Sequence, residues 1–427
     1  MFKRVAGSAI GRYSSAISPA GGISGNAKIG DIRFFSEDPG PDWLIGGQNM
    51  DGGSNLLGVL PVDPSIWTEW TKISSALVPS TRNQNSLIYA NGVYVAAGRY
   101  FGISGTDRSK LFLRSVDGIN WTNQGFDEST YDSNKAFEAL RVVHDGDKFI
   151  AVASPRTLLT SIDGINWDPI EIDPYWVVVD VAVNPDTKTI VAYCYESGSN
   201  YVRLMVTKNY GLSWTQTRLS LLEAQQPYST VKFSNGRFYT QSLSQLGSGS
   251  TQFRYYSDDD GATWTAYTTI TDFGNITVDK IIYDGSRYIC TIDHSSTVER
   301  EGVYVSTDFT NWSKVSTNLP VPYNVGFISY TNGIYFLFPK SANTNTECWY
   351  SHDLQNWKVI PKLNSNNSFG YVTDIIIRGD LAVLTANYIS SSYPSAIAYS
   401  PYKFGISSQN LYPYTVANNP KAYLKVA

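Results

Sequence analysis

The stretch Ser115-Val116-Asp117-Gly118-Ile119-Asn120-Trp121 returns as Ser161-Ile162-Asp163-Gly164-Ile165-Asn166-Trp167, and that return decides the fold. A longer copy is Ser257-Asp258-Asp259-Asp260-Gly261-Ala262-Thr263-Trp264. Weaker copies run from Thr207 to Trp214, Ser306 to Trp312 and Ser351 to Trp357. The closing tryptophans stand at 121, 167, 214, 264, 312 and 357, so the gaps are 46, 47, 50, 48 and 45 residues. A period of that size is the length of one four-stranded propeller blade.

Working outward, each interval carries an apolar strand, a tight turn and a second strand. The turns are Asn91-Gly92, Asp145-Gly146, Asn235-Gly236, Asp284-Gly285 and Asn332-Gly333. They are expected to be type I′, because both central residues there need positive φ. The third and seventh units use Asn184-Pro185-Asp186 and Arg378-Gly379-Asp380 instead. That makes seven hairpins. The seventh unit fades at Ser400-Pro401-Tyr402 without a tryptophan, while Glu69-Trp70-Thr71-Lys72-Ile73-Ser74 parallels Asn311-Trp312-Ser313-Lys314-Val315-Ser316. The expected fold is therefore all-β: a seven-bladed β-propeller of four-stranded antiparallel blades, the last closed by an N-terminal strand and the whole preceded by an extended N-terminal arm. Closing the ring this way removes an open sheet edge. The expected boundaries are an arm over 1–30, an attachment segment over 31–60, the propeller over 61–405 and a tail over 406–427.

The repeat resembles the Asp-box, or BNR, repeat of sialidases and related propellers, whose pattern is S-x-D-x-G-x-T-W. Residues 257–264 match every fixed position, and the likeness covers about 60–405. Such repeats specify a fold and many activities share them. The acidic residue is expected to accept hydrogen bonds from its own turn, and the tryptophan to pack on neighbouring sheet. Asp117, Trp121, Asp163, Trp167, Asn209, Trp214, Asp259, Trp264, Asp308, Trp312, Asp353 and Trp357 are thus read as structural rather than as a metal or catalytic ring.

Composition narrows the function classes. The 427 residues carry only 16% charged side chains, below the usual ~25%, with a net charge of −4. Nothing there favours nucleic acid. Three distant cysteines and three scattered histidines offer no metal or disulfide pattern, and no cofactor or metal is expected. No apolar run is long enough to cross a membrane. No secretory signal is apparent behind Lys3 and Arg4, so synthesis in a host cytoplasm is expected.

Connectivity orders the loops. The first-to-second and third-to-fourth turns of a blade share one face, and here they are short. The other face carries long loops, from 100–110 to 388–394. Variable loops on a rigid scaffold are where binding concentrates. Tyr100, Phe101, Tyr131, Tyr175, Trp176, Tyr195, Tyr228, Tyr323, Tyr388 and Tyr393 fall there and form the candidate ligand face.

The Asp-box likeness raises sialidase chemistry, which needs an arginine triad, a Tyr–Glu nucleophile and an acid/base Asp. The usual R-I-P arginine motif is missing, since Ile32-Arg33-Phe34-Phe35 stands in its place. Catalytic residues are not assigned, and the chain is expected not to be an enzyme. A sialidase-like glycoside hydrolase or a lectin-like propeller is the alternative.

Residues 1–30 hold six glycines, the basic residues Lys3, Arg4, Arg12 and Lys28, and no acid. Such a segment cannot bury enough apolar surface to fold alone. Ile29-Gly30-Asp31-Ile32-Arg33, then Pro39-Gly40-Pro41-Asp42-Trp43-Leu44-Ile45-Gly46-Gly47, resembles bacteriophage tail-collar segments, with Ile45-Gly46-Gly47 where L-C-D is usual. The resemblance implies a virion protein of the tail, oligomeric in the particle. Its arm, with Trp43, would dock to other phage tail proteins. Its propeller would serve as rigid adaptor or as a head for a host cell-surface glycan.

Overall fold

The computed structural model describes residues 32–35, 43–45, 70–74, 77, 82–100, 112–124, 138–154, 157–172, 176–196, 202–219, 230–241, 253–268, 277–293, 302–315, 325–331, 333–339, 348–360, 371–378, 381–387, 396–401 and 421–425. Its contacts divide the chain into two units. One comprises Asp63–Ile377 with Ala382–Pro401, the other Met1–Val62, Arg378–Leu381 and Tyr402–Ala427.

The larger unit is a seven-bladed propeller of four-stranded antiparallel blades. Blades 1 to 6 span 82–124, 138–171, 176–219, 230–268, 277–314 and 325–359, each with its strands in chain order. Blade 7 takes Tyr371–Arg378, Leu381–Asn387 and Ala396–Pro401, and its fourth strand is Thr71–Lys72 from the other end of the chain. Thr71 pairs with Tyr399 and Lys72 with Ala398. The Ile73 amide adds a hydrogen bond to the Ile397 carbonyl at 3.0 Å. Trp70, just before this strand, is buried.

The core is a series of seams between blades. Second strands are covered on both sides, so they read as unbroken apolar runs. Phe149, Ile150, Ala151, Val152 and Ala153 are all fully buried. Alanine and valine recur there because blades converge toward the axis and leave little room. Fourth strands lie outside and turn polar, as in Thr215–Leu219, whose residues are mostly exposed. One seam joins Val95, Ala97 and Phe112 of blade 1 to Phe149, Leu159 and Trp167 of blade 2. Each fully buried side chain of this size contributes about 1.5–3 kcal/mol.

The hairpin turns divide into two kinds. Asn91 and Asn235 sit at φ 49° and 53° with Gly92 and Gly236 at 80° and 75°, the expected type I′ pattern. The Asp-Gly turns differ from that expectation. Only Gly146 and Gly285 take positive φ, at 98° and 97°. The turn widens to four residues, closed by the Asp145 amide on the Lys148 carbonyl at 3.0 Å and the Asp284 amide on the Arg287 carbonyl at 3.2 Å. The reason is local. The Asp145 carboxylate accepts the Asp147 and Lys148 amides, at 2.8 and 2.6 Å, and Asp284 repeats this with Ser286 and Arg287. An Asx-type turn holds the aspartate where an αL conformation would break those bonds.

In the smaller unit, the strand Lys421–Lys425 runs between Ile32–Phe35 and Trp43–Ile45, antiparallel to both. The C-terminal tail therefore shares a sheet with the attachment segment, which no local pattern announced.

Candidate functional site

The Asp-box turns were the obvious place for chemistry, and their bonds are spent locally. In the first box, Asp117 Oδ1 accepts the Ile119 and Asn120 amides at 2.9 and 2.7 Å and the Ser115 hydroxyl at 2.9 Å. Its Oδ2 accepts the Asn120 carboxamide at 2.7 Å. Asp163, Asp308 and Asp353 repeat the arrangement with Asn166, Asn311 and Asn356. Asp259 uses the amide and hydroxyl of Thr263, and Asn209 takes the Ser213 amide. Trp121, Trp167, Trp264, Trp312 and Trp357 each donate Nε1–H to the carbonyl three residues back. Trp214 packs at the edge of the core seam between blades 2 and 3.

These bonds set the charge state. Burial works against ionisation of Asp117 and Asp163, but the amide and carboxamide donors outweigh it and hold both near pKa 2. For Asp259 the Thr263 hydroxyl and amide do the same, also to about 2. Asp308 and Asp353 are pushed lower still, led by the Asn311 and Asn356 amides. A depressed folded-state pKa means stability that is complete above the unfolded value near 3.9 and lost as pH falls through the folded one. Thermal stability is therefore expected to fall steadily as pH drops from about 4 to about 2. Each of the five aspartate boxes contributes on the order of 0.5–1 kcal/mol after solvent screening, and the third box, with Asn209, contributes nothing to this dependence. A melting temperature flat across that window, at constant ionic strength, would contradict it.

A second network ties blades together along the first strands. Among the described pairings, five first strands carry a register shift, at Gln84/Ser86, Ala139/Arg141, Val178/Asp180, Val278/Ile281 and Val325/Ile328. A bulge re-aims the side chains beyond it. Ser86 Oγ donates to the Val142 carbonyl at 3.1 Å and accepts its amide at 3.2 Å. Asp180, with 3% of its side chain exposed, accepts the Val231 amide at 3.0 Å. Arg141 Nε stands 2.5 Å from Asp180 Oδ1, an ionic contact without hydrogen-bond alignment, and Lys232 Nζ lies 3.8 Å from Oδ2. Blades 2, 3 and 4 thus share one buried carboxylate. Sequence reading missed this cluster, because its three members lie about 40–50 positions apart and bulges are invisible in composition.

On the long-loop face, the described part of the candidate site is the end of blade 3. Trp176 does not offer its ring there. It is 6% exposed and belongs to the seam between blades 2 and 3, with the Arg203 guanidinium 4.4 Å over its ring. Trp176 is corrected from contact residue to core residue, because the first strand starts at its position and turns it inward. Arg203 also donates to Gln216 Oε1 at 2.7 Å. Tyr195 is half-buried against the next seam. Tyr100 ends the strand Val93–Tyr100. Phe101, Tyr131, Tyr175, Tyr228, Tyr323, Tyr388 and Tyr393 lie outside the described residues, as do Lys3, Arg4, Arg12 and Lys28. Trp43 opens the strand Trp43–Ile45. Cys194, Cys290 and Cys348 are buried and unbridged, and burial pushes the Cys194 and Cys348 thiols far up. Among the described residues, no three His, Cys, Asp or Glu side chains converge to hold a metal ion.

Among solved structures, the chain superimposes on YCF48 bound to D1 peptide with a TM-score of 0.53 at 14% identity, covering 80% of this chain and 98% of that one. An oligogalacturonate lyase from Vibrio parahaemolyticus gives 0.54 at 8% identity, covering 88% and 100%. A Trypanosoma rangeli sialidase in complex with sialic acid gives 0.41 at 14%, covering 78% and 55%. The likeness is one of fold. No family model matches the chain. No curated protein matches it either. The lyase corrects the expectation that the chain is not an enzyme, because the same propeller carries catalysis there. The missing R-I-P motif bears only on sialidase chemistry, and other reactions on this fold use other residues.

Proposed function

We propose that the chain is a tail-associated virion protein of a bacteriophage, in which the unit outside the propeller docks to the tail and the propeller's long-loop face meets a host-surface glycan. The observation that carries this reading is the division of the chain at 62/63 and 401/402. The collar-like strands Ile32–Phe35 and Trp43–Ile45 fall in one unit with the C-terminal strand, and the ring, apart from Arg378–Leu381, in the other. The short-turn face supports the same choice, since its box carboxylates are consumed by their own turns. A carbohydrate-active propeller is the second reading, favoured by the fold shared with an oligogalacturonate lyase.

Deleting residues 1–45 is expected to leave the propeller's melting transition in place and to abolish incorporation into particles. Truncated protein present in purified virions at the normal copy number would refute the docking role. A glycan array probed with the full chain, with released sugar assayed on each hit, separates the readings. Binding supports the attachment head, and sugar release supports the second reading.

A further inference from the structure

We propose that the cleft between blades 1 and 2, on the short-turn face, is a docking groove for an extended acidic and aliphatic peptide segment of a partner protein. Three independent observations lead there, and none of them rests on the virion reading.

The first is an internal comparison. The boxes of blades 1, 2, 5 and 6 make the same turn with the same bonds, so their outward side chains are free to vary. Boxes 5 and 6 place Thr307 and Thr310, and His352 and Gln355, at those positions. Box 1 places Val116 and Ile119 there, and box 2 places Ile162 and Ile165. Val116 and Ile162 are 62% and 65% exposed. The turn does not need branched aliphatics, and water disfavours them. With Leu212 of box 3, which is 88% exposed, the apolar side chains gather on the boxes of blades 1 to 3, and such a gathering marks a contact surface.

The second is the space. In the neighbouring seams a side chain fills the gap between adjacent turns. Tyr210 reaches from box 3 to Asp145, its hydroxyl donating at 2.6 Å. Asp260 reaches from box 4 to Asn184, Thr187 and Thr189. Arg237 spans from Asp258 to the Asp308 carbonyl, over Phe309. Tyr335 donates to Asp284 at 2.7 Å. Between blades 1 and 2 the bridges are Arg114, whose Nε donates to the Asp163 carbonyl, and the short Asn91, whose carboxamide donates to the Asp147 and Ile162 carbonyls at 2.8 and 3.0 Å. A cleft of about 580 Å³ remains, with Val93, Arg114, Lys148 and Ile162 among its walls.

The third is charge complementarity. The acceptors in the walls are engaged. Asp163 is taken by its own turn, and Asp147 pairs with Lys188 at 2.9 Å. The donors are not exhausted. Arg114 spends Nε on the Asp163 carbonyl at 2.8 Å, and its terminal nitrogens have no hydrogen-bond acceptor among the described residues. Among the described residues, Lys148 Nζ meets the Tyr210 ring, 4.7 Å away, and no carboxylate. A groove with spare cationic donors takes a carboxylate. Its aliphatic wall residues, Val93 and Ile162, suit aliphatic side chains better than a sugar, which stacks on aromatic rings.

The test selects a ribosome-displayed random dodecapeptide library on the full chain. Recovered peptides are then titrated against wild type, Arg114→Gln and Ile162→Ser, each with a melting curve matching wild type. Peptides rich in Asp or Glu with Leu, Ile or Val are expected, binding each variant at least roughly tenfold more weakly. Salt should weaken wild-type binding, and Arg114→Gln should flatten that dependence. Failure to recover such peptides, or equal binding by wild type and both variants, overturns the proposal. Cleft-dependent binding of hexagalacturonate in place of peptide also overturns it, in favour of an acidic glycan.

Discussion

A chain lacking residues 1–75 is expected to lose the cooperative fold and aggregate, whereas one lacking 1–60 keeps it. The longer deletion removes the strand Thr71–Lys72, its hydrogen bond from Ile73 to Ile397, and the buried Trp70. Blade 7 is then left with Ala396–Pro401 as an open edge, whose residues are mostly buried in the native ring. An unpaired apolar edge is a template for intermolecular pairing. Size-exclusion chromatography with circular-dichroism melting distinguishes the two deletions. A monomeric 76–427 chain that melts as the longer one does would show that the N-terminal strand is dispensable and that the ring closes by blade packing alone.

Trp167→Ala is expected to cost about 3–5 kcal/mol, the range for emptying a large aromatic site that cannot collapse. The indole is 6% exposed and stacks on Phe112 of blade 1 at 4.0 Å with an interplanar angle of 13°. It also donates to the Gly164 carbonyl at 3.3 Å. One side chain therefore fills the seam between two blades and closes its own turn. Trp264→Ala should cost less, because that indole is only half-buried and, among the described residues, its ring partner is Phe238 at 6.5 Å. Denaturant unfolding of the two variants side by side checks the order. Equal costs would mean that the turn bond, and not the seam, carries the tryptophan's contribution.

Both expectations depend on features visible in the sequence to different degrees. The ring closure was legible because Trp70-Thr71-Lys72 parallels Trp312-Ser313-Lys314, and a strand at the same blade position needs the same residues. The seam stacking was not. Phe112 and Trp167 are 55 positions apart, and nothing local in either segment names the other. The candidate ligand face shows the same divide. Connectivity alone sorted the loops into two faces, but whether a ring points outward depends on which residue starts the strand. Trp176 falls on the buried side of that boundary, under Arg203.

The amino-acid sequence by itself determined the blade number, the four-stranded unit, the box turns and the closing strand. These follow from hydrogen bonds and alternation within a few residues, repeated at a near-constant period, so local chemistry suffices. Only the tertiary structure decided what passes between blades. It gathered Arg141, Asp180 and Lys232 on one buried carboxylate. It also ran the C-terminal strand between Ile32–Phe35 and Trp43–Ile45, and left the cleft beside Arg114. Each of these brings together groups tens to hundreds of residues apart. Their energies depend on distance and solvent exposure in the folded ring, which no local pattern of residues encodes.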